Sequence, residues 1–238
     1  MNTSYSDPVV AVFVVIPVLL ALALAGGAGT AWRRSAATPS AARRVSLTTG
    51  IMAAVWMAAT WVVADSGALR QWERTPPPFA LLVAAILALA IGMAFSGLGS
   101  RLARFVPLWA LVGIQGFRLP LELAMHAMAE RGIMPDVMSY SGRNFDIVTG
   151  ATAIAVALWM AAGRGGRMLV LMWNLMGLAL LVNVVVVAIL ATPRFRFFGD
   201  EQLNVWVTFP PFVWLPAVMV LAALAGHLVI FRALRSVP

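Results

Sequence analysis

Not one lysine stands among the 238 residues; all 17 basic side chains are arginines. Without a lysine amine neither a retinal nor a pyridoxal Schiff base can form, so a seven-helix rhodopsin is excluded whatever the helix count. Cysteine is absent too, which removes disulfides, thiolate metal sites, iron–sulfur clusters and thiol nucleophiles. Charge of any kind is scarce. Charged residues make up 11% of the chain against 62% hydrophobic, a balance outside that of soluble domains and matched by multi-span membrane proteins. Arginine as the sole basic residue, with abundant Ala, Val and Gly, is the composition of a GC-rich bacterial genome, so the expected location is the bacterial cytoplasmic (inner) membrane, multi-pass. The net charge of +8 would suit nucleic acid, but the arginines fall between apolar spans, where they set topology, and no nucleic-acid partner is expected.

What the chain does contain is a series of apolar runs. Candidate spans cover 9–29, 47–65, 79–98, 105–129, 145–162, 168–191 and 210–231, each near the roughly 20 residues a bilayer requires. The expected fold is therefore all-α, a transmembrane bundle of seven helices in a single domain over 1–238, its main partner the lipid bilayer. Residues 1–8 lack the basic start of a secretory signal and lead into the first span. Asn2-Thr3-Ser4 fits a glycosylation sequon but carries little weight in a bacterial chain. Long connections are expected at 30–46, 66–78, 130–144 and 192–209. The loops on one side, with the C-terminus, carry ten arginines and no acid; those on the other carry six arginines and eight acids. The positive-inside rule then places the N-terminus outside and the C-terminus inside. A fourth segment that failed to cross would mix the acid-free and acid-bearing loops, so 105–129 is expected to cross.

That fourth segment holds the feature that sets this chain apart. Gln115, Arg118, Glu122 and His126 share one helix face, within an arc of roughly 80°. Ionisable groups at membrane depth cost about 2.5–3.5 kcal/mol each on insertion scales and by default mark function. Arg118 and Glu122 are four apart and positioned to pair directly. Pro120 between them removes one backbone hydrogen bond. The following loop adds Asp136, Ser139, Ser141, Arg143, Asn144 and Asp146, and Asp146 is placed to start the fifth helix as an N-terminal charge. Behind it, Asp146, Thr149, Gly150 and Ala153 share a face of small side chains suited to close helix contact. The candidate ligand- or ion-binding residues are Gln115, Arg118, Glu122, His126, Arg143, Asn144 and Asp146.

Other chemistry finds little support. The two histidines, His126 near the outer interface and His227 near the inner face, are expected about 20 Å or more apart, too far to share a haem iron or zinc ion. Each reads better as a packing residue. No metal, cofactor or catalytic residue is assigned, and GxSxG, HExxH and P-loop motifs are missing. Asn174 and Asn183, nine apart, face opposite ways and suit interhelical hydrogen bonds. Phe209 to Pro216, FPPFVWLP, predicts a bent, aromatic entry to the last span, with Trp214 in an interfacial belt.

Phe117-Arg118-Leu119-Pro120-Leu121-Glu122, followed by Pro135, Met138 and Gly142-Arg143-Asn144-Phe145-Asp146-Ile147, resembles a bacterial family of small multi-span membrane proteins. Trp173-Asn174 and the FPPFVWLP run before His227 are similar as well. The likeness covers about the C-terminal half and implies that the polar segment is a family feature; it implies no activity, cofactor or substrate. Three readings stay open: passage of a small solute or ion at Arg118 and Glu122, an accessory or scaffold subunit that binds a membrane-protein partner or a second copy of itself, and, third, an intramembrane enzyme using Glu122 or His126.

Overall fold

The computed structural model describes residues 7–236, so the Asn2-Thr3-Ser4 sequon lies outside the described residues. Among these the chain is helical without a strand. The α-helices are α1 (Pro8–Arg34), α2 (Pro39–Asp65), α3 (Pro78–Phe95), α4 (Gly97–Phe105), α5 (Leu108–Gly113), α6 (Arg118–Glu130), α7 (Asp146–Ala161), α8 (Arg167–Leu190) and α9 (Leu221–Ser236). Five stretches are long and apolar enough to cross a membrane: α1, α2, α3, α8, and Leu215–Arg235, in which a π-helical turn at Leu215–Val220 runs into α9. Their outward faces carry exposed Leu19, Ile51, Val62 and Met172, as expected of surfaces that meet hydrocarbon.

Two expectations about boundaries fail for local reasons. The connection predicted at 30–46 shrinks to residues 35–38, because α1 continues to Arg34 and α2 begins at Pro39. Arg33 and Arg34 complement the dipole in the last turn of α1, and the Thr38 side chain accepts from Ala41 N at 3.3 Å with Pro39 in the first turn. The fourth segment is not one helix. It is assembled from α5, a 3-10 turn over Ile114–Phe117 and α6. Pro120 has no N–H to give the Gly116 carbonyl, and the tighter turn falls just ahead of it, leaving the proline in the first turn of α6, where it is tolerated. The fifth segment, α7, is apolar but has 16 residues.

The two ends of the bundle are tied differently. At one end arginines reach backbone carbonyls: Arg34 donates to Phe105 O at 2.8 Å, and Arg232 donates to Ala94 O and to the Ser100 hydroxyl. Arg101 stacks over the Trp32 ring at 4.1 Å. At the other end Arg131 pairs with Asp7 at 2.5 Å, joining the close of α6 to the start of α1. Near this end Phe13, Trp206 and Phe212 form an edge-to-face trio with centroids 5.2–5.7 Å apart. The bend before α9 is present, with Trp214 bound into the fold. Its indole donates to Met57 O at 3.0 Å, while Trp56 donates to Ala217 O at 2.8 Å, fastening α2 to the π-helical turn.

Candidate functional site

The site begins with glycines. A methyl group on Gly150 of α7 would sit 2.9 Å from the carbonyl carbon of Arg118 and from Leu119 Cα; one on Gly116 would sit 2.8 Å from Ile154 Cγ1. Only bare backbone at both places lets α7 lie against the start of α6. That approach carries Asp146, the first residue of α7, to Arg118, the first of α6, and the Arg118 Nη1–Asp146 Oδ1 distance is 2.8 Å. Both are buried, Arg118 to 1% exposure. The same nitrogen donates to Gly177 O of α8 at 3.4 Å.

Glu122 does not take Arg118 as its partner, contrary to the four-residue spacing. Its two carboxylate oxygens accept from Asn144 Nδ2 at 2.9 and 2.8 Å. Asn144 Nδ2 also donates to Met138 O, and its Oδ1 accepts the backbone N–H of Asp146 at 3.0 Å. Asn144 therefore ties the backbone N–H of Asp146 just ahead of α7 while holding Glu122. An acid on the neighbouring helix wins Arg118 because it approaches end-on across the glycine contact, and the amide is left to satisfy the second acid.

The other predicted residues separate from this core. Gln115 is buried and donates from Nε2 to Ala223 O at 3.2 Å, beside Gly226 of α9. His126 is partly exposed, 3.3 Å from the Ser141 hydroxyl, 3.6 Å from Glu130 and against the Tyr140 ring. Arg143 is exposed and lies over the Phe198 ring, its carbonyl accepting from Asn183 at 2.8 Å. Four residues thus meet in the buried cluster: Arg118, Glu122, Asn144 and Asp146.

His227 is misplaced by the sequence reading, which put it near the inner face. It is fully buried beside Gly177, whose missing methyl would lie 2.7 Å from His227 Cε1 and 2.8 Å from Thr149 Cγ2. Since the Gly177 carbonyl accepts from Arg118, His227 stands at the level of Arg118. The depth estimate assumed a helix from residue 210, whereas α9 itself starts at Leu221 after an irregular approach. Asn174 Nδ2 donates to His227 O at 3.1 Å, which fixes the amide so that its Oδ1 accepts from His227 Nδ1 at 2.7 Å. The neutral ring then carries its proton on Nδ1 and leaves Nε2 as a lone-pair acceptor. The signal for this contact, an Asn and a His on two late spans, was present but needed the register of α8 against α9.

Several buried polar atoms here have no protein partner: Gln115 Oε1, His227 Nε2, and Nε and Nη2 of Arg118. Leaving such an atom unmatched costs about 1–3 kcal/mol, more for a charged group, so their gathering in one region calls for a reason. A half-enclosed cavity of about 70 Å³ is lined by Arg118, Glu122, Asn144 and Asp146 and, away from them, by Asn204; the rest of its wall is apolar, mainly from α3, α6, α8 and the π-helical turn. Among the described residues no three His, Asp or Glu side chains are grouped to hold a metal ion. No family model, curated protein or solved structure matches this chain.

Proposed function

We propose that the chain is a seven-span protein of the bacterial cytoplasmic membrane, N-terminus outside, that binds and passes a small solute or ion at the Arg118 cluster. One observation carries this reading: Arg118 lines a cavity inside the bundle, and two nitrogens of its buried guanidinium have no protein partner. A charge kept only to hold helices together would have its donors filled. The short fourth and fifth segments fit as crossings that line a polar site, since irregular backbone is tolerated at membrane depth where it is buried in protein. The two ends of the bundle support the orientation. Arg34, Arg101 and Arg232 of the acid-free side meet at one end, and Asp7 and Arg131 of the acid-bearing side meet at the other.

The scaffold reading draws on the other half of the geometry, the closed Arg118–Asp146 and Glu122–Asn144 contacts. Thermal unfolding of the purified protein against a library of water-soluble ions, acids and amines separates the two. A solute at about 100 times its dissociation constant adds roughly 2.7 kcal/mol to the state it binds. The expected result is at least one solute that stabilises the native protein and fails on Val184→Trp, which fills the cavity without touching a charge. A library with no effect on either protein favours the scaffold. For topology, a reporter active only in the cytoplasm should signal when fused after Pro238 and stay silent when fused after Glu130. A silent C-terminal fusion would remove the seven-span arrangement.

A further inference from the structure

α2 has two unlike faces. The inner one meets α1 at glycines: a methyl on Gly29 would lie 3.0 Å from Ser46 Cβ and 3.6 Å from Ala42 O, and one on Gly50 would lie 3.6 Å from Ala25 Cβ. Ala42 and Ser46 therefore face the neighbouring helix. At about 100° per residue, Arg44, Leu47, Ile51 and Val55 fall on the opposite side, and all four are exposed. Arg43, at the edge of the same arc, is exposed as well. A shallow, open groove of about 530 Å³ lies at the head of this face, bordered by Ser40, Arg43, Arg44, Leu47 and Thr48.

The charge along this groove is unmatched. The two arginines that end α1 are engaged, Arg33 donating to the Thr30 hydroxyl at 3.5 Å and Arg34 to Phe105 O at 2.8 Å. Arg43 and Arg44 have no partner among the described residues. The one acid of α2, Asp65, stands at its far end, about 30 Å away at 1.5 Å per residue. Two adjacent guanidinium groups without an acid attract an anion, and phosphate suits their planar forks, which engage two oxygens at a time. What lies beneath them decides which phosphate. Leu47, Ile51 and Val55 continue the exposed face for about 16 Å, the depth of one half of a bilayer's hydrocarbon core. α2 is also long and apolar enough to cross a membrane. A free phosphate has no use for that hydrocarbon wall, and an acidic protein segment would have to enter the bilayer to touch it. A phospholipid meets both parts. The amine of a zwitterionic lipid would add a third cation beside the two arginines, so a lipid of net negative charge is the better match.

We propose that the outer face of α2 holds an anionic phospholipid, its phosphate bound by Arg43 and Arg44 and its acyl chains laid along Leu47, Ile51 and Val55. This site is separate from the Arg118 cluster and needs nothing of the solute reading; on the orientation proposed above it belongs to the cytoplasmic leaflet.

Native mass spectrometry of the full chain in detergent counts the lipids it holds. The probes are phosphatidylglycerol and phosphatidylcholine with the same acyl chains, and inorganic phosphate and hexaglutamate serve as soluble anions. The protein should bind phosphatidylglycerol more tightly than phosphatidylcholine, and excess inorganic phosphate should not displace it. Arg43→Gln combined with Arg44→Gln should weaken phosphatidylglycerol binding about 25-fold, the product of about fivefold for each arginine at a bilayer surface. Both side chains are exposed, so the unfolding temperature should not change. A comparison variant, Arg33→Gln with Arg235→Gln, removes equal charge from the same end of the bundle. It should keep the affinity within about twofold, because a screened charge away from the groove counts for little. Equal losses in the two double variants would show a diffuse field of charge rather than a site and would overturn the proposal. Equal binding of the two lipids, or displacement by inorganic phosphate, would overturn it too. Hexaglutamate held by a protein indifferent to phosphatidylglycerol would give the groove to an acidic partner instead.

Discussion

Asp146→Asn should destabilise the protein by about 3–5 kcal/mol, because it strands the Arg118 guanidinium in a site that is almost without solvent. Arg118→Gln should cost a similar amount for the mirror-image reason. Combining the two removes both charges and should recover part of the loss, since neither then stands uncompensated in the buried site. Glu122→Gln is the informative contrast. Its partner is the Asn144 amide, which donates to both carboxylate oxygens, and a glutamine keeps one of those acceptors. Its expected cost is about 1–2 kcal/mol. Thermal unfolding of the four variants in one detergent decides the matter. A Glu122→Gln loss as large as that of Asp146→Asn would mean that Arg118 answers to Glu122 after all.

Gly150→Ala carries the second large effect. The added methyl meets the backbone of Arg118 and Leu119, which cannot rotate aside as a side chain would. α7 must back away from α6, and the Arg118–Asp146 contact opens with it. Overpacking alone costs about 1–3 kcal/mol, and the strained ion pair adds to that. Gly92→Ala in α3 is the control. Nothing lies within 4 Å of its added methyl, so it should be neutral or stabilising by about 0.4–1 kcal/mol. Equal unfolding temperatures for the two variants would show that α6 and α7 do not touch as described.

Much of this could be read from the chain. Of the polar stripe Gln115, Arg118, Glu122 and His126, the first three are buried and His126 is partly exposed; Asp146 does open a helix, and the small face of Thr149, Gly150 and Ala153 is buried. What could not be read is who pairs with whom. Spacing along an ideal helix places Arg118 and Glu122 on one face, but the pairing depends on how near α7 comes, and that is set by two glycines making contacts across chain segments. The same limit explains His227. Periodicity gives a residue's face and not its depth, and the depth moved when the last span began with a loop and a π-helical turn. The missed helix ends at Arg34 and Pro39 are a different case. Thr38-Pro39 is a legible start signal, overshadowed by the four arginines around it that suggested a loop.

The break at Ile114–Phe117 bears on how the protein is made. Translation delivers α6, with Arg118 and Glu122 aboard, before Asn144 and Asp146 have emerged. A membrane insertion machine that judged α6 alone would face about 2.5–3.5 kcal/mol for each charge, on a segment interrupted by a 3-10 turn and a proline. The counter-charge and the amide arrive some two dozen residues later, at the head of α7. On the seven-span proposal, the two segments are expected to wait at the edge of the insertion channel and enter lipid together, as a hairpin whose polar groups are already matched. The connecting residues between Glu130 and Asp146 set the length of that wait.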